Sequence, residues 1–152
     1  MPDVSELLDP RSIQLDAVAA DRDSAIRLAG QALVDVGAVT VDYVEAMIER
    51  EQSVSTYMGE GVAIPHGTLA GKGAVQRDAL SFLRFPDGVE WNGQTATLAI
   101  GIAAKGDGHL AILGQLASVL VDPGKAKGLR EVQTADEVLA LLAPNEDEDD
   151  DE

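Results

Sequence analysis

The sequence predicts one α/β domain over residues 1–144, a mixed β-sheet flanked by helices, followed by a disordered acidic tail at 145–152. Three observations carry this. Segments with apolar residues at three- and four-residue spacing alternate with short, strongly apolar runs, the pattern of helices layered on a sheet. The length of 152 residues suits a single core, and 45% apolar residues suffice to fill it. The run Thr97–Ala103 sets Leu98, Ile100 and Ile102 on one face and Ala99, Gly101 and Ala103 on the other. Small residues on one face let a helix pack closely, so this strand is expected at the centre, covered on both sides.

The opening Glu6–Asp16 reads as a short turn and then a brief strand. Asp21 or Asp23 caps a first helix reaching about Val36, with Ile26, Ala29, Leu33 and Val36 at helical spacing and Gly37 as its stop. Thr40 caps a second helix whose stripe is Val44, Met47 and Ile48, with Arg50 and Glu51 at its end. A glycine-punctuated stretch follows, holding a short apolar strand at Val62–Ile64. Two better strands are expected around Leu80–Phe85 and Thr97–Ala103, with Trp91 packed in the turn between them. Asp107 opens a helix to about Val121 on Leu110, Leu113, Leu116 and Leu120. In the last helix, Thr134 and Glu137 have the spacing of a capping box.

Charge narrows the function classes. Eleven Lys and Arg face 27 Asp and Glu, a net charge of −16. Seven of the acids lie in the last eight residues; without them 20 acids still face 11 bases, a balance of −9. Such a surface repels nucleic acid and anionic membranes, both of which are bound through Lys and Arg. With seven of the eleven bases being Arg, it also suggests a high-salt cytoplasm, where ions screen self-repulsion. No cysteine is present, which excludes disulfides, thiolate metal sites and cysteine nucleophiles. There is no apolar run of about 18 residues for a membrane span, and the first residues lack a secretory pattern. The expected setting is the cytoplasm.

The two histidines keep different company. His66 follows the apolar run Val62-Ala63-Ile64, with Pro65 before it and Gly67 after. Pro65 holds Ile64 extended, and Gly67 permits a sharp departure that exposes backbone N–H groups. The same residues would equally make an ordinary turn that happens to contain a histidine. His109 follows Lys105-Gly106-Asp107-Gly108 in the first turn of a helix. The positive end of a helix disfavours an imidazolium, so a neutral ring there can donate one N–H to an anion.

Arg50-Glu51, then Ser55-Thr56, Gly59, Gly61 and Val62-Ala63-Ile64-Pro65-His66-Gly67, resemble the active-site signature of enzyme IIA domains of the fructose/mannitol family of the sugar phosphotransferase system. Asp107-Gly108-His109-Leu110 is similar to that family's second histidine. The match runs over roughly residues 3 to 143. Tyr57 and Met58 depart from it, standing where a glycine and a small aliphatic residue are usual.

The resemblance implies a IIA-like fold and a phosphocarrier: His66 takes a phosphoryl group from phospho-HPr and passes it to a cysteine of a IIB component of a sugar permease complex. The sugar expected is fructose. His109 joins His66 in the active site, and Arg50 is the candidate cation for the phosphoryl charge, because guanidinium pairs two oxygens at once. Thr56, Gly59, Gly61 and Gly67 are candidate phosphoryl-binding residues. No cofactor or metal is called for. The alternative in the same family is a nitrogen-type regulatory IIA, which controls partners by its phosphorylation state.

Overall fold

The computed structural model describes residues 8–53, 55–59, 61–66, 75–103, 114, 116, 118–120 and 122–142. The chain enters the sheet through β1 (Leu8–Gln14). The turn expected ahead of this strand lies inside it: pairing slips from Leu8↔Leu80 to Ile13↔Phe82. Pro10 has no N–H for the ladder. In the slip, the Arg11 N–H donates to Asp9 Oδ1 (2.8 Å) and Ser12 Oγ donates to the Asp9 carbonyl (2.9 Å).

Helix α1 (Arg22–Asp35) is capped by Asp21, which accepts the Ser24 N–H at 2.9 Å. It ends in a Schellman pair, Gly37 N–H to Val34 O and Ala38 N–H to Leu33 O, with Gly37 at φ 76°. Helix α2 (Asp42–Ser53) starts with the Thr40 and Val41 carbonyls accepting the N–H groups of Tyr43 and Val44. Strands β2 (Tyr57–Gly59) and β3 (Val62–Ala63) follow, then β4 (Ala79–Trp91) and β5 (Gln94–Ala103). The sheet order is β1-β4-β5-β3-β2. β1 runs parallel to β4 and β3 to β5, while β4–β5 and β2–β3 are antiparallel. This is the mixed sheet in a single domain that the sequence predicts.

The two strands expected at 80–85 and 97–103 are longer, and form one hairpin. Asn92 and Gly93, both at positive φ (54° and 88°), make its two-residue turn, the geometry that Asn-Gly favours. Trp91 is therefore the last residue of β4, fully buried, rather than turn packing.

Helix α3 (Pro123–Glu131) was not expected. Its signal is Asp122-Pro123: Asp122 accepts the N–H groups of Gly124 and Lys125, and proline occupies the first turn. Helix α4 (Ala135–Leu142) carries the expected capping box, Glu137 N–H to Thr134 Oγ1 at 3.2 Å and Thr134 N–H to Glu137 Oε1 at 3.3 Å. Of the helix expected from Asp107, the first turns lie outside the described residues; Leu116 and Leu120 are helical and buried. The acidic tail at 145–152 also lies outside them. Among the described residues no helix is long and apolar enough to cross a membrane.

Two cores flank the sheet. One gathers Ile26, Ala29 and Leu33 of α1 with Tyr43 and Met47 of α2 against Leu83, Phe85, Trp91, Ala99 and Ala103. The other gathers Phe82, Leu98, Ile100 and Ile102 against Leu116, Leu120, Leu129, Val138 and Leu142. The small-residue face of β5 does take α1: a Cβ on Gly101 would lie 2.4 Å from Ser81 Oγ and 3.3 Å from Ala29 Cβ.

Candidate active site

β3 brings His66 to the end of the sheet. Val62 and Ala63 pair in parallel with Leu98 and Ala99, and the chain stays alongside β5: the Ile102 N–H donates to Pro65 O at 2.9 Å, and His66 bridges Ile102. The hydroxyl of Tyr43 donates to the Ile102 carbonyl at 2.7 Å and holds this end of β5 onto α2. His66 thus lies beside the carboxyl end of β5, partly exposed. Carboxyl ends of parallel strands are where α/β folds place their ligands.

The ring of His66 is oriented by its own chain. Nδ1 lies 2.9 Å from the carbonyl of Ile64. A carbonyl only accepts, so Nδ1 carries the hydrogen, and in the neutral ring Nε2 carries the lone pair. Ile64 is itself tied down, its N–H donating to Thr56 O at 3.0 Å. Which ring nitrogen carries the lone pair, undecided in the sequence, follows from this backbone contact.

Thr56 and Glu51 form a buried polar cluster beside that link. Glu51 is 2% exposed and Thr56 5% exposed. Glu51 Oε1 accepts the Thr56 N–H at 3.0 Å and the Thr56 hydroxyl at 2.5 Å. Oε2 accepts Trp91 Nε1–H at 2.8 Å and lies 3.5 Å from Asn92 Nδ2. The hydroxyl hydrogen of Thr56, expected to reach a phosphoryl oxygen, goes to Glu51 instead. The sequence reading places Glu51 in the signature and Trp91 in a turn but gives neither a role in the site, and assigns nothing to Asn92. The legible signal was Glu51 at the next position of the buried stripe Val44, Met47/Ile48: an acid on an apolar stripe needs partners.

The remaining candidates divide. Arg50 stands in the last turn of α2, immediately before Glu51, where a cation also suits the helix dipole. Gly61 has φ 79°, and its N–H donates to the Tyr57 hydroxyl at 3.0 Å, so its donor is engaged within the protein. The Tyr57 hydroxyl in turn faces Thr95 O at 3.4 Å, so Tyr57 ties the β2–β3 turn to β5. Gly59 ends β2, opposite Val62. Gly67 and His109 lie outside the described residues. Among the described residues no group of three or more His, Asp or Glu side chains is placed to hold a metal ion.

Comparison with known proteins places this geometry. The chain is 46% identical over 125 residues to the "Multiphosphoryl transfer protein" of Escherichia coli O157:H7, covering 82% of this chain and 33% of that protein. It is 41% identical over 139 residues to the "Mannitol-specific phosphotransferase enzyme IIA component" of Staphylococcus aureus (strain MRSA252), covering 91% of this chain and 96% of that one. The chain thus spans about a third of the first relative and nearly all of the second. The IIA chain in the complex of enzyme IIAMTL with phosphorylated enzyme IIBMTL from Escherichia coli superposes with a TM-score of 0.82 at 38% identity, over 90% of this chain and 98% of that one. Residues 6–144 match the family "Phosphoenolpyruvate-dependent sugar phosphotransferase system, EIIA 2". The chain belongs to that family and is a phosphotransferase component of the sugar phosphotransferase system.

Proposed function

We propose that this chain is the cytoplasmic phosphocarrier of a mannitol-type permease, with Nε2 of His66 as the phosphorylated atom. The observation that carries the reading is the Nδ1–H contact to the Ile64 carbonyl, which leaves the lone pair on Nε2. Nε2 attacks the phosphorus of phospho-HPr; the N–P bond to His66 forms as the bond to the donor breaks. As Nε2 becomes bonded, the ring gains positive charge, and the Ile64 carbonyl dipole faces the nitrogen that shares it. A cysteine thiolate of a IIB component then attacks the same phosphorus, and Nε2 regains its lone pair. Each step is in-line placement plus charge stabilisation.

Phosphorylation adds about −1.5 to −2 charges to a chain already at −16. Arg50 and His109 are the side chains proposed to meet that charge, with backbone N–H groups at Gly59 and Gly67. Thr56 and Gly61, whose donors are engaged by Glu51 and Tyr57, shape the loop. Mannitol replaces the fructose expected from the sequence, because the relative matched along nearly its whole length is mannitol-specific by name. The acidic body is read as adaptation to high salt.

The test is incubation with phospho-HPr in molar KCl, with intact mass read under mildly alkaline conditions. One added phosphoryl is expected, absent in His66→Ala, slowed in His109→Ala, and transferable to a mannitol IIB protein. No added mass on a folded chain with an active donor overturns the reading. Phosphorylation without transfer to any IIB would favour the nitrogen-type regulatory role.

A further inference from the structure

We infer that Glu51 is a positioning residue for phosphoryl transfer: its buried carboxylate sets the ring of His66 through Thr56 and Ile64, and sets the end of the helix that carries Arg50. The inference rests on the phosphocarrier reading for its kinetic part, but not for its structural part.

A carboxylate 2% exposed on an otherwise apolar helix stripe is costly unless every lone pair is used. Here the partners come from two separate parts of the chain: the Thr56 N–H and hydroxyl from the loop after α2, and Trp91 Nε1–H with the adjacent Asn92 Nδ2 from the end of β4 and its hairpin turn. All are donors, which suits an acceptor-only carboxylate. The arrangement also leads toward His66. Thr56, held through two atoms by Glu51, accepts the Ile64 N–H at 3.0 Å. The other side of the same residue, the Ile64 carbonyl, accepts Nδ1–H of His66 at 2.9 Å. Carboxylate, threonine, isoleucine backbone and imidazole therefore form one line of hydrogen bonds ending on the nitrogen that decides the tautomer. The same carboxylate pins the last turn of α2, where Arg50 precedes it.

Neither an amide nor an alkyl group can replace it. In Glu51→Gln one oxygen becomes an NH2 group, which must face either the Thr56 pair or Trp91, donor against donor. The loop then shifts, and with it the Ile64 carbonyl. Because Glu51 and Thr56 are buried and cannot touch a protein donor directly, the loss should fall on turnover. In the full chain, Glu51→Gln is expected to lower kcat at least about tenfold with KM for phospho-HPr within about twofold. Long-range 1H–15N correlation of the His66 ring should show the Nδ1–H tautomer in the parent and an added Nε2–H population in the variant. The Trp91 indole N–H resonance, single in this chain, should move as its acceptor changes.

Leu129→Ala, fully buried in α3 on the opposite side of the sheet, serves as the control: Tm falls, but the His66 tautomer and the kcat of the folded fraction stay as in the parent. If Glu51→Gln does not fold, Thr56→Val carries the test, since it keeps the carboxylate and loses one hydroxyl donor; kcat should fall about threefold or more, and Thr56→Ser should restore it. Unchanged tautomer and unchanged kcat in a folded Glu51→Gln or Thr56→Val chain overturn the inference. The ring measurement needs no phosphoryl donor. If the parent takes no phosphoryl at all, the phosphocarrier reading fails, while the tautomer result still decides the role of Glu51.

Discussion

On one side of the sheet, the helix pair α1–α2 buries Tyr43, Met47, Phe85 and Trp91 together with polar groups: Glu51 and Thr56 beside them, Ser81 Oγ donating to Ala29 O at 2.9 Å, and the Tyr43 hydroxyl on Ile102 O. On the other side, α3 and α4 lay leucine and valine against Phe82, Leu98, Ile100 and Ile102, where Ser12 donates to Leu80 O at 3.2 Å and half-buried Arg84 donates to the carbonyls of Leu15 and Val132. The difference teaches where precision is kept. Apolar contacts are non-directional and tolerate repacking; hydrogen bonds to a buried carboxylate do not. The side that meets the His66 segment holds the buried carboxylate and its donors, and the other is filled mainly by aliphatic side chains.

The sharpest way to break that contrast is the aliphatic layer itself. Leu129→Ala should cost about 2–5 kcal/mol by its lost contacts and the cavity left behind. Denaturant unfolding should show this as a lower midpoint with the slope retained, while phosphoryl transfer per folded molecule is kept. A loss of transfer exceeding the loss of folded protein would mean that both layers aim the site.

A smaller effect is expected where α1 meets β5. Gly101→Ala puts a Cβ 2.4 Å from Ser81 Oγ, so Ser81 must turn away from Ala29 O or the helix must lift, at about 1–3 kcal/mol. Because β5 pairs with His66 at the next residue, Ile102, transfer should slow along with the fall in stability. Thermal melting and the transfer assay on the same sample decide it; stability lost with transfer unchanged would confine the directional side to Glu51.

The smallest effect lies at the far edge of the sheet. In the β1 bulge, the Arg11 side chain, then its backbone N–H, hold the partly exposed Asp9 carboxyl at about 2, below the usual 3.8. A depressed carboxyl stabilises the fold above its unfolded value and loses that contribution as pH falls through the folded value. The contribution should therefore fade between about pH 4 and pH 2. Asp9→Asn should flatten the melting temperature across that window alone, by a small amount because the pair is solvated. An unchanged slope there would show that the bulge holds without the pair.

Much of this was legible residue by residue. The caps Asp21 and Thr134/Glu137, the Gly37 stop, and the two faces of Thr97–Ala103 are local or strictly periodic signals, and each stands where it was expected. Arg50 and His66 were singled out by motif. What escaped were the partners made by distant contacts. Trp91 and Glu51 are 40 residues apart in the chain, and Tyr57 meets Thr95 across 38. The hairpin was misjudged because its two arms were read as separate short runs, although Asn92-Gly93 marked the turn. The helix α3 was missed because it is short and little of its sequence is apolar, while Asp122-Pro123 alone announced it.

The sequence by itself determined the class of fold and the elements with capped or strictly periodic signals, and it singled out His66 as the candidate nucleophile, because periodicity, capping and the His66 signature depend on neighbours along the chain. The tertiary structure decided which nitrogen of His66 meets a carbonyl and which buried acid stands behind that contact. Those depend on where a carbonyl, a hydroxyl and an indole N–H from separated segments come to rest within about 3 Å of one another, a distance that no spacing along the chain encodes.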